Sequence, residues 1–220
     1  VTILGANGQT SDDIYLNTVD LSNNVQSGIQ VAGDVNGLTL INSTVSENGV
    51  VGFAYAGDQA WKNLTNVTIE NTSFTRNGVI SRTAGDEPTK KGSGEIFFYR
   101  FDGNATVKDV TLQGFTDANP SYIGIQFTGE VSTPFPAPGN ITVDGLSIRG
   151  SSGRVGQALG GGLIVQNYAT GPAMSLTGID VDLNAGNAIT VASVADTVNL
   201  GDAKATAQNP ASAAIYAGPS

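Results

Sequence analysis

The chain has no cysteine and no histidine, and only one tryptophan and one methionine among 220 residues. Without cysteine there is no disulfide, thiol nucleophile or thiolate zinc site, and without histidine there is no imidazole base and no Ser-His-Asp triad. Charge is scarce as well. Charged residues make up 13% of the sequence, about half the usual share of roughly 25%. Ten bases against nineteen acids leave a net charge of −9. Apart from Lys90-Lys91 the bases are scattered, so nothing offers a track for a phosphate backbone and no nucleic acid partner is expected. No apolar run reaches the roughly 18 residues of a membrane span, so no membrane insertion is expected. Val1 opens a strand-like segment with neither Met nor signal peptide, and the segment reads as mature or excised.

Small residues are abundant instead. The 29 glycines are roughly twice the usual share, and hydrophobics at 40% suffice for one sizeable all-β core. An apolar-polar-apolar triplet recurs as Ile14-Tyr15-Leu16, Leu38-Thr39-Leu40, Val67-Thr68-Ile69, Ala105-Thr106-Val107, Ile141-Thr142-Val143, Met174-Ser175-Leu176 and Val198-Asn199-Leu200, with Val1-Thr2-Ile3 as a further candidate. Alternation with period 2 marks strands. A polar corner follows each triplet, Thr18, Asn42, Asn71 and Asp109 giving way to Gly145 and Gly178. Asn, Asp and Gly tolerate unusual backbone dihedrals at such corners.

A second triplet comes next: Val19-Asp20-Leu21, Ser43-Thr44-Val45, Thr72-Ser73-Phe74, Val110-Thr111-Leu112, Leu146-Ser147-Ile148 and Ile179-Asp180-Val181. A third run closes most units: Ile29-Gln30-Val31, Phe53-Ala54-Tyr55, Tyr99-Arg100-Phe101, Ile125-Gln126-Phe127, Leu163-Ile164-Val165 and Ile189-Thr190-Val191. Three strands per repeat predict a triangular coil. One coil cannot bury its inward side chains alone, but stacked coils share a core. The expected fold is all-β, a parallel β-helix (β-solenoid) of about 6–8 coils. Residues 1–202 form the solenoid, and 203–220 a loosely structured cap or linker.

The segment Asn66-Val67-Thr68-Ile69-Glu70-Asn71-Thr72-Ser73-Phe74-Thr75-Arg76-Asn77-Gly78 resembles the right-handed parallel β-helix repeats of the pectate-lyase-like superfamily, whose members are secreted carbohydrate-active and surface proteins. That resemblance covers roughly residues 1–202. It implies right-handed coils and an extracellular or cell-surface location, but fold alone does not give function. Members commonly cover the first coil with a helix. Here the strand-like start implies a preceding domain or end-to-end stacking.

Long insertions fall at 56–65, 79–94, 116–122, 131–139 and 150–161, all beside the third strand. Loops on a rigid scaffold often carry function. The outward residues of that strand, Gln30, Arg100, Gln126 and Gln166, form a polar column suited to a linear polysaccharide or cell-surface glycan. Tyr122 and Tyr168, with Trp61 and Phe98, are the candidate stacking surfaces for sugar rings, whereas Phe53, Tyr55, Tyr99, Phe101 and Phe127 take the inward register.

Lyases of the superfamily use Lys or Arg as base, which draws attention to Arg100. Asp180 and Asp182 share a face at a separation suited to paired carboxylates. The Gly-His-Gly and Arg-Ile-Lys motifs of its hydrolases and the Asp-Pro-His segment of its epimerases are absent. No cofactor is expected. Calcium is the one cation to consider, because Asp12, Asp13, Asp34 and Asp58 sit at turns. Glycosylation sequons begin at Asn42, Asn63, Asn66, Asn71, Asn104 and Asn140 and follow from the repeat's own use of Asn and Thr. Thr2, Thr39, Thr68, Thr106 and Thr142 form an outward ladder that β-propensity explains as well as ice binding does. The leading expectation is a non-catalytic extracellular module that binds polysaccharide or forms the stalk of a larger surface protein. The alternatives are a polysaccharide lyase or glycoside hydrolase acting on an acidic polysaccharide, and a self-stacking structural unit.

Overall fold

The computed structural model describes residues 1–4, 10–56, 64–78, 94–114, 123–129, 139–150, 161–168, 173–183, 187–194, 198–207 and 214–218. Every described strand pairing is parallel, and the chain alternates between two sheets as a β-solenoid does. Sheet A stacks β1 (Thr2–Leu4), β3 (Ile29–Ala32), β6 (Val51–Ala56), β9 (Gly94–Tyr99), β11 (Ile123–Thr128), β13 (Gly161–Tyr168), β16 (Asn187–Val194) and β19 (Ile215–Ala217) in that order. Sheet B stacks β2 (Ser11–Asn17), β4 (Val35–Ile41), β7 (Asn66–Glu70), β10 (Asn104–Gln113), β12 (Asn140–Gly150), β14 (Ala173–Thr177) and β17 (Val198–Leu200). The short strands β5 (Thr44–Ser46), β8 (Ser73–Thr75), β15 (Asp180–Leu183) and β18 (Lys204–Ala207) continue it beyond the corner.

The coil has two strands in place of the expected three. First and second triplets belong to one sheet, and β10 and β12 run through the corner without a break, pairing at Lys108↔Asp144 and again at Val110↔Leu146. In these two strands the corner residue bends the chain and the pairing resumes beyond it, whereas in other coils it divides β4 from β5, β7 from β8 and β14 from β15. Its left-handed backbone is present in successive coils, with φ of 56° at Thr18, 52° at Asn42, 46° at Asn71, 50° at Asp109, 71° at Gly145 and 59° at Gly178. Asn, Asp and Gly bear this conformation at little cost, so the column reads directly in the sequence.

Between the sheets lies a core of aligned apolar columns. Leu40, Ile69, Val107, Val143 and Leu176 stack in register, as do Val45, Phe74, Leu112, Ile148 and Val181. All are buried. Sheet A contributes Ile29, Phe53, Ile96, Ile125, Leu163 and Ile189 in one row. Branched side chains suit these rows because they pack closely on a pleated surface.

Two corrections concern register. Val1-Thr2-Ile3 is not a first triplet, because Thr2 pairs with Gln30 in sheet A, and Thr2 therefore lies outside the threonine ladder. Tyr99-Arg100-Phe101 is not the third run of its coil. Ile96-Phe97-Phe98 takes that place, with Phe97 paired to Ala54 and Gln126, while Arg100 at φ 53° ends the strand.

Candidate functional site

Polar side chains also form ladders along the axis. Inside the coil, Asn24 donates to Asn48 Oδ1 at 2.7 Å and Asn48 donates to Asn77 Oδ1 at 2.7 Å. Their backbone N–H groups reach the same oxygens at 3.0 and 3.1 Å. Asn48 and Asn77 also donate to the Leu21 and Val45 carbonyls. The ladder runs on to Glu95, a fully buried carboxylate that accepts from the Asn77 side-chain amide and, at 3.3 Å, from its backbone N–H. Glu95 thus does for Asn77 what Asn77 does for Asn48. Gly52 leaves room for it, since a Cβ there would come within 2.7 Å of the Glu95 carbonyl and 3.0 Å of Asn77 Nδ2. A buried ladder of this kind is stabilising only while every member is satisfied.

Outer ladders explain the sequons. Asn71 donates to Asn42 at 2.7 Å and Asn42 to Asn17 at 3.0 Å. Asn104 donates to Asn66 at 3.0 Å and Asn66 to Asn36 at 3.0 Å, while the Asn140 backbone N–H reaches Asn104 at 2.9 Å. Two residues after Asn66, Asn104 and Asn140 come Thr68, Thr106 and Thr142, in register on the same outward face as Thr39. Asn63 lies outside the described residues.

The outer face of sheet A changes along its length. Gln30 is exposed and Ala54 half-buried, whereas Gln126 and Gln166 are buried at 7% and 8% exposure. Gln30 and Gln126 share one column with Phe97, Ile164 and Thr190. Gln166 belongs to the neighbouring column with Tyr99 and Thr128. Arg100 is in neither. It follows β9 and places its guanidinium 5.3 Å from the centre of the Tyr99 ring. The aromatic assignments exchange places. Phe98 is a core residue, parallel to Phe127 at 4.9 Å and tilted against Phe53 at 5.2 Å, whereas Tyr99 points outward beside Phe97. Phe97 and Tyr99 are half-buried and parallel within 4°, their centres 6.2 Å apart. Tyr122 and Trp61 lie outside the described residues. Tyr168 sits on β13 opposite Val194, and its side chain lies outside them too.

Asp180 and Asp182 occupy β15 of sheet B, on a different sheet from Arg100. Asp180 is bound by Arg149 at 2.5 Å, and the same guanidinium donates to the Asp180 carbonyl at 2.9 Å. Lys108 pairs with Glu70 at 3.6 Å, and Arg76 pairs with Glu47. Asp202 accepts the Gly178 N–H at 2.6 Å, and this bond, with its own backbone N–H, holds its carboxyl below the usual aspartate range. Among the described residues no three acidic side chains gather where a metal ion would sit. Asp58 lies outside them.

The inner ladder and Glu95 are what sequence reasoning missed. Asn24, Asn48 and Asn77 each stand three residues after the inward member of a second triplet, Leu21, Val45 or Phe74, and that recurring offset was the available signal. No family model matches the chain, and neither a curated protein nor a solved structure does. What the structure supports is a β-solenoid-like architecture, two all-parallel sheets between which the chain alternates, with Asn ladders along the axis.

Proposed function

We propose that this chain is a non-catalytic module of an extracellular or cell-surface protein, a right-handed solenoid that binds a polysaccharide or forms a stalk. The observation that carries the reading is the separation of the reactive groups. Arg100 stands at the end of a sheet A strand over an aromatic ring, while the Asp180–Asp182 pair lies on sheet B with Asp180 bound by Arg149. General acid–base chemistry needs its groups within hydrogen-bond reach of one substrate atom. Axial ladders on both sides of the backbone suit a rigid scaffold. Incubation with polygalacturonate or alginate is expected to release neither unsaturated nor reducing ends. Steady release of either, lost in Arg100→Ala or Asp180→Ala with the fold retained, would establish the lyase or hydrolase alternative instead.

A second reading, a self-stacking unit, is favoured by exposed Leu4, Tyr15 and Val25 near the outer edge of β1 and β2. An open strand edge invites pairing with a second copy or with a preceding part of the same protein. Light scattering across a concentration series tests the first of these. A strictly monomeric chain would remove it.

A further inference from the structure

We infer that the two open ends of the solenoid join head to tail, the last coil of one copy of this chain seating on the first coil of a second copy and continuing both sheets. The inference rests on the self-stacking reading and gives it a direction and a register. An interior coil is covered by a neighbour on each side, an end coil by one. Apolar side chains mark the difference. Among the described residues, partly buried ones packed against the core gather at the ends, with Ile14, Leu16 and Leu21 in the first coil and Leu200 and Ala205 in the last. In sheet A the inward row through Ile29 and Ile189 ends on Ile215, 50% exposed. Val1, just ahead of the Thr2 that pairs with Gln30, stands at the other end of that row and is 48% exposed. No described strand pairs beyond β1 and β2 at one end or beyond β17, β18 and β19 at the other.

The two ends fit each other. Leu16 and Leu200 close the opposite ends of one inward row, and Leu21 and Ala205 those of another. A second copy set one coil spacing on, about 4.8 Å, lays each row on its own continuation. Both end coils advance by 24 residues, as the bonds from Asn24 to Asn48 and from Gly178 to Asp202 show, so the coils that meet are equal in length. Charge selects the partner and its orientation. The outward column that starts at Asp20 and runs through Thr44, Thr111 and Asp180 ends on Lys204. Asp20 and Lys204 are both exposed, and head-to-tail stacking sets this lysine of one copy beside that aspartate of the next. Two like ends would meet with their strands antiparallel, unlike every described pairing, and would not bring Lys204 to Asp20. A contact between unlike surfaces does not close on itself, so copies add in an open chain.

The test is sedimentation equilibrium of the 220-residue chain over a concentration series at about 0.15 M salt, where repulsion from the net charge of −9 is screened beyond roughly 8 Å. The average mass is expected to rise with concentration past that of a dimer. Asp20→Lys and Lys204→Asp each set like charges across the junction, and each should weaken association by about fivefold. Mixing the two variants in equal amounts restores it, as does the double variant Asp20→Lys/Lys204→Asp, because both bring opposite charges together again. Thr106→Lys, on the outer face of sheet B between the ends, leaves it unchanged. Association that ignores both charge reversals would overturn the register and leave the self-stacking reading standing. Weakening by Asp20→Lys alone, or a mass that stops at the dimer, would overturn the head-to-tail direction. A chain that is monomeric at every concentration would overturn both the inference and the reading beneath it.

Discussion

Sheet B and sheet A are built on the same repeat and use it in opposite ways. In sheet B the register holds from β2 to β17, the corner keeps its left-handed residue, and outward Asn and Thr recur coil after coil. In sheet A the inward rows are equally regular, but the outward column runs Gln30, Ala54, Phe97, Gln126, Ile164, Thr190 without chemical pattern. Sequence length varies beside sheet A as well, since the insertions at 79–94, 116–122, 131–139 and 150–161 all adjoin its strands. The repeat is thus kept at the inward rows of both sheets, at the corner and on the outer face of sheet B, and lapses on the outer face of sheet A.

The largest expected effect separates inside from outside. Ile69→Asp places a charge in a fully buried row of sheet B and should cost about 4 kcal/mol or more in denaturant titration. Phe97→Asp, on the outward face of sheet A, should cost less than half as much. Equal losses would mean that the outer face is part of the core.

Next come the ladders. Asn48→Ala removes a buried amide that donates to Asn77 and to the Leu21 carbonyl and accepts from Asn24, and a loss of about 2–3 kcal/mol is expected. Asn66→Ala breaks an exposed ladder and should cost about 0.5 kcal/mol, because water replaces the lost partners. Thermal unfolding of the two variants side by side measures the difference. Similar shifts would show that burial does not set the value of an Asn ladder here.

Corner substitutions should be milder. Gly145 has φ 71°, and a Cβ there would lie 2.6 Å from Asp109 Oδ1, so Gly145→Val is expected to lose about 1–2 kcal/mol. Asp109→Gly at the same corner one coil earlier should be within about 0.5 kcal/mol of the parent. The smallest effect is electrostatic. The Asp202 carboxyl is held below its usual range by the Gly178 N–H, so its contribution is present above the unfolded aspartate pKa and is lost as pH falls through the lower folded value. Asp202→Asn should therefore flatten the acid limb of a stability–pH curve and leave its shape at neutral pH unchanged.

Much of this architecture is legible in the sequence because burial and backbone strain leave marks in residue type. Alternating Leu40, Ile69, Val107, Val143 and Leu176 announce an inward row, and Asn42, Asn71, Asp109 and Gly145 announce a left-handed corner. The number of sheets is not marked, since a left-handed residue serves equally to end a strand or to bend one, as Asp109 does inside β10. The register of β9 misleads for a different reason. Phe97 is apolar yet outward, so the true strand lacks alternation, while Tyr99-Arg100-Phe101 shows it across the strand's end. The pairing of Glu95 with Asn77 spans 18 residues and follows from no local pattern. Gln126 and Gln166 are buried although alternation gives them outward positions, because burial depends on what covers a face as well as on which face a residue takes.

The proposed division of labour between the sheets is tested most directly by residue-resolved amide hydrogen exchange with and without cellohexaose. Added sugar should raise protection at Ala54, Phe97 and Tyr99 of sheet A and leave Thr39, Thr68 and Thr106 of sheet B unchanged. Protection that rises along the sheet B threonines, with β6 and β9 unaffected, would contradict it.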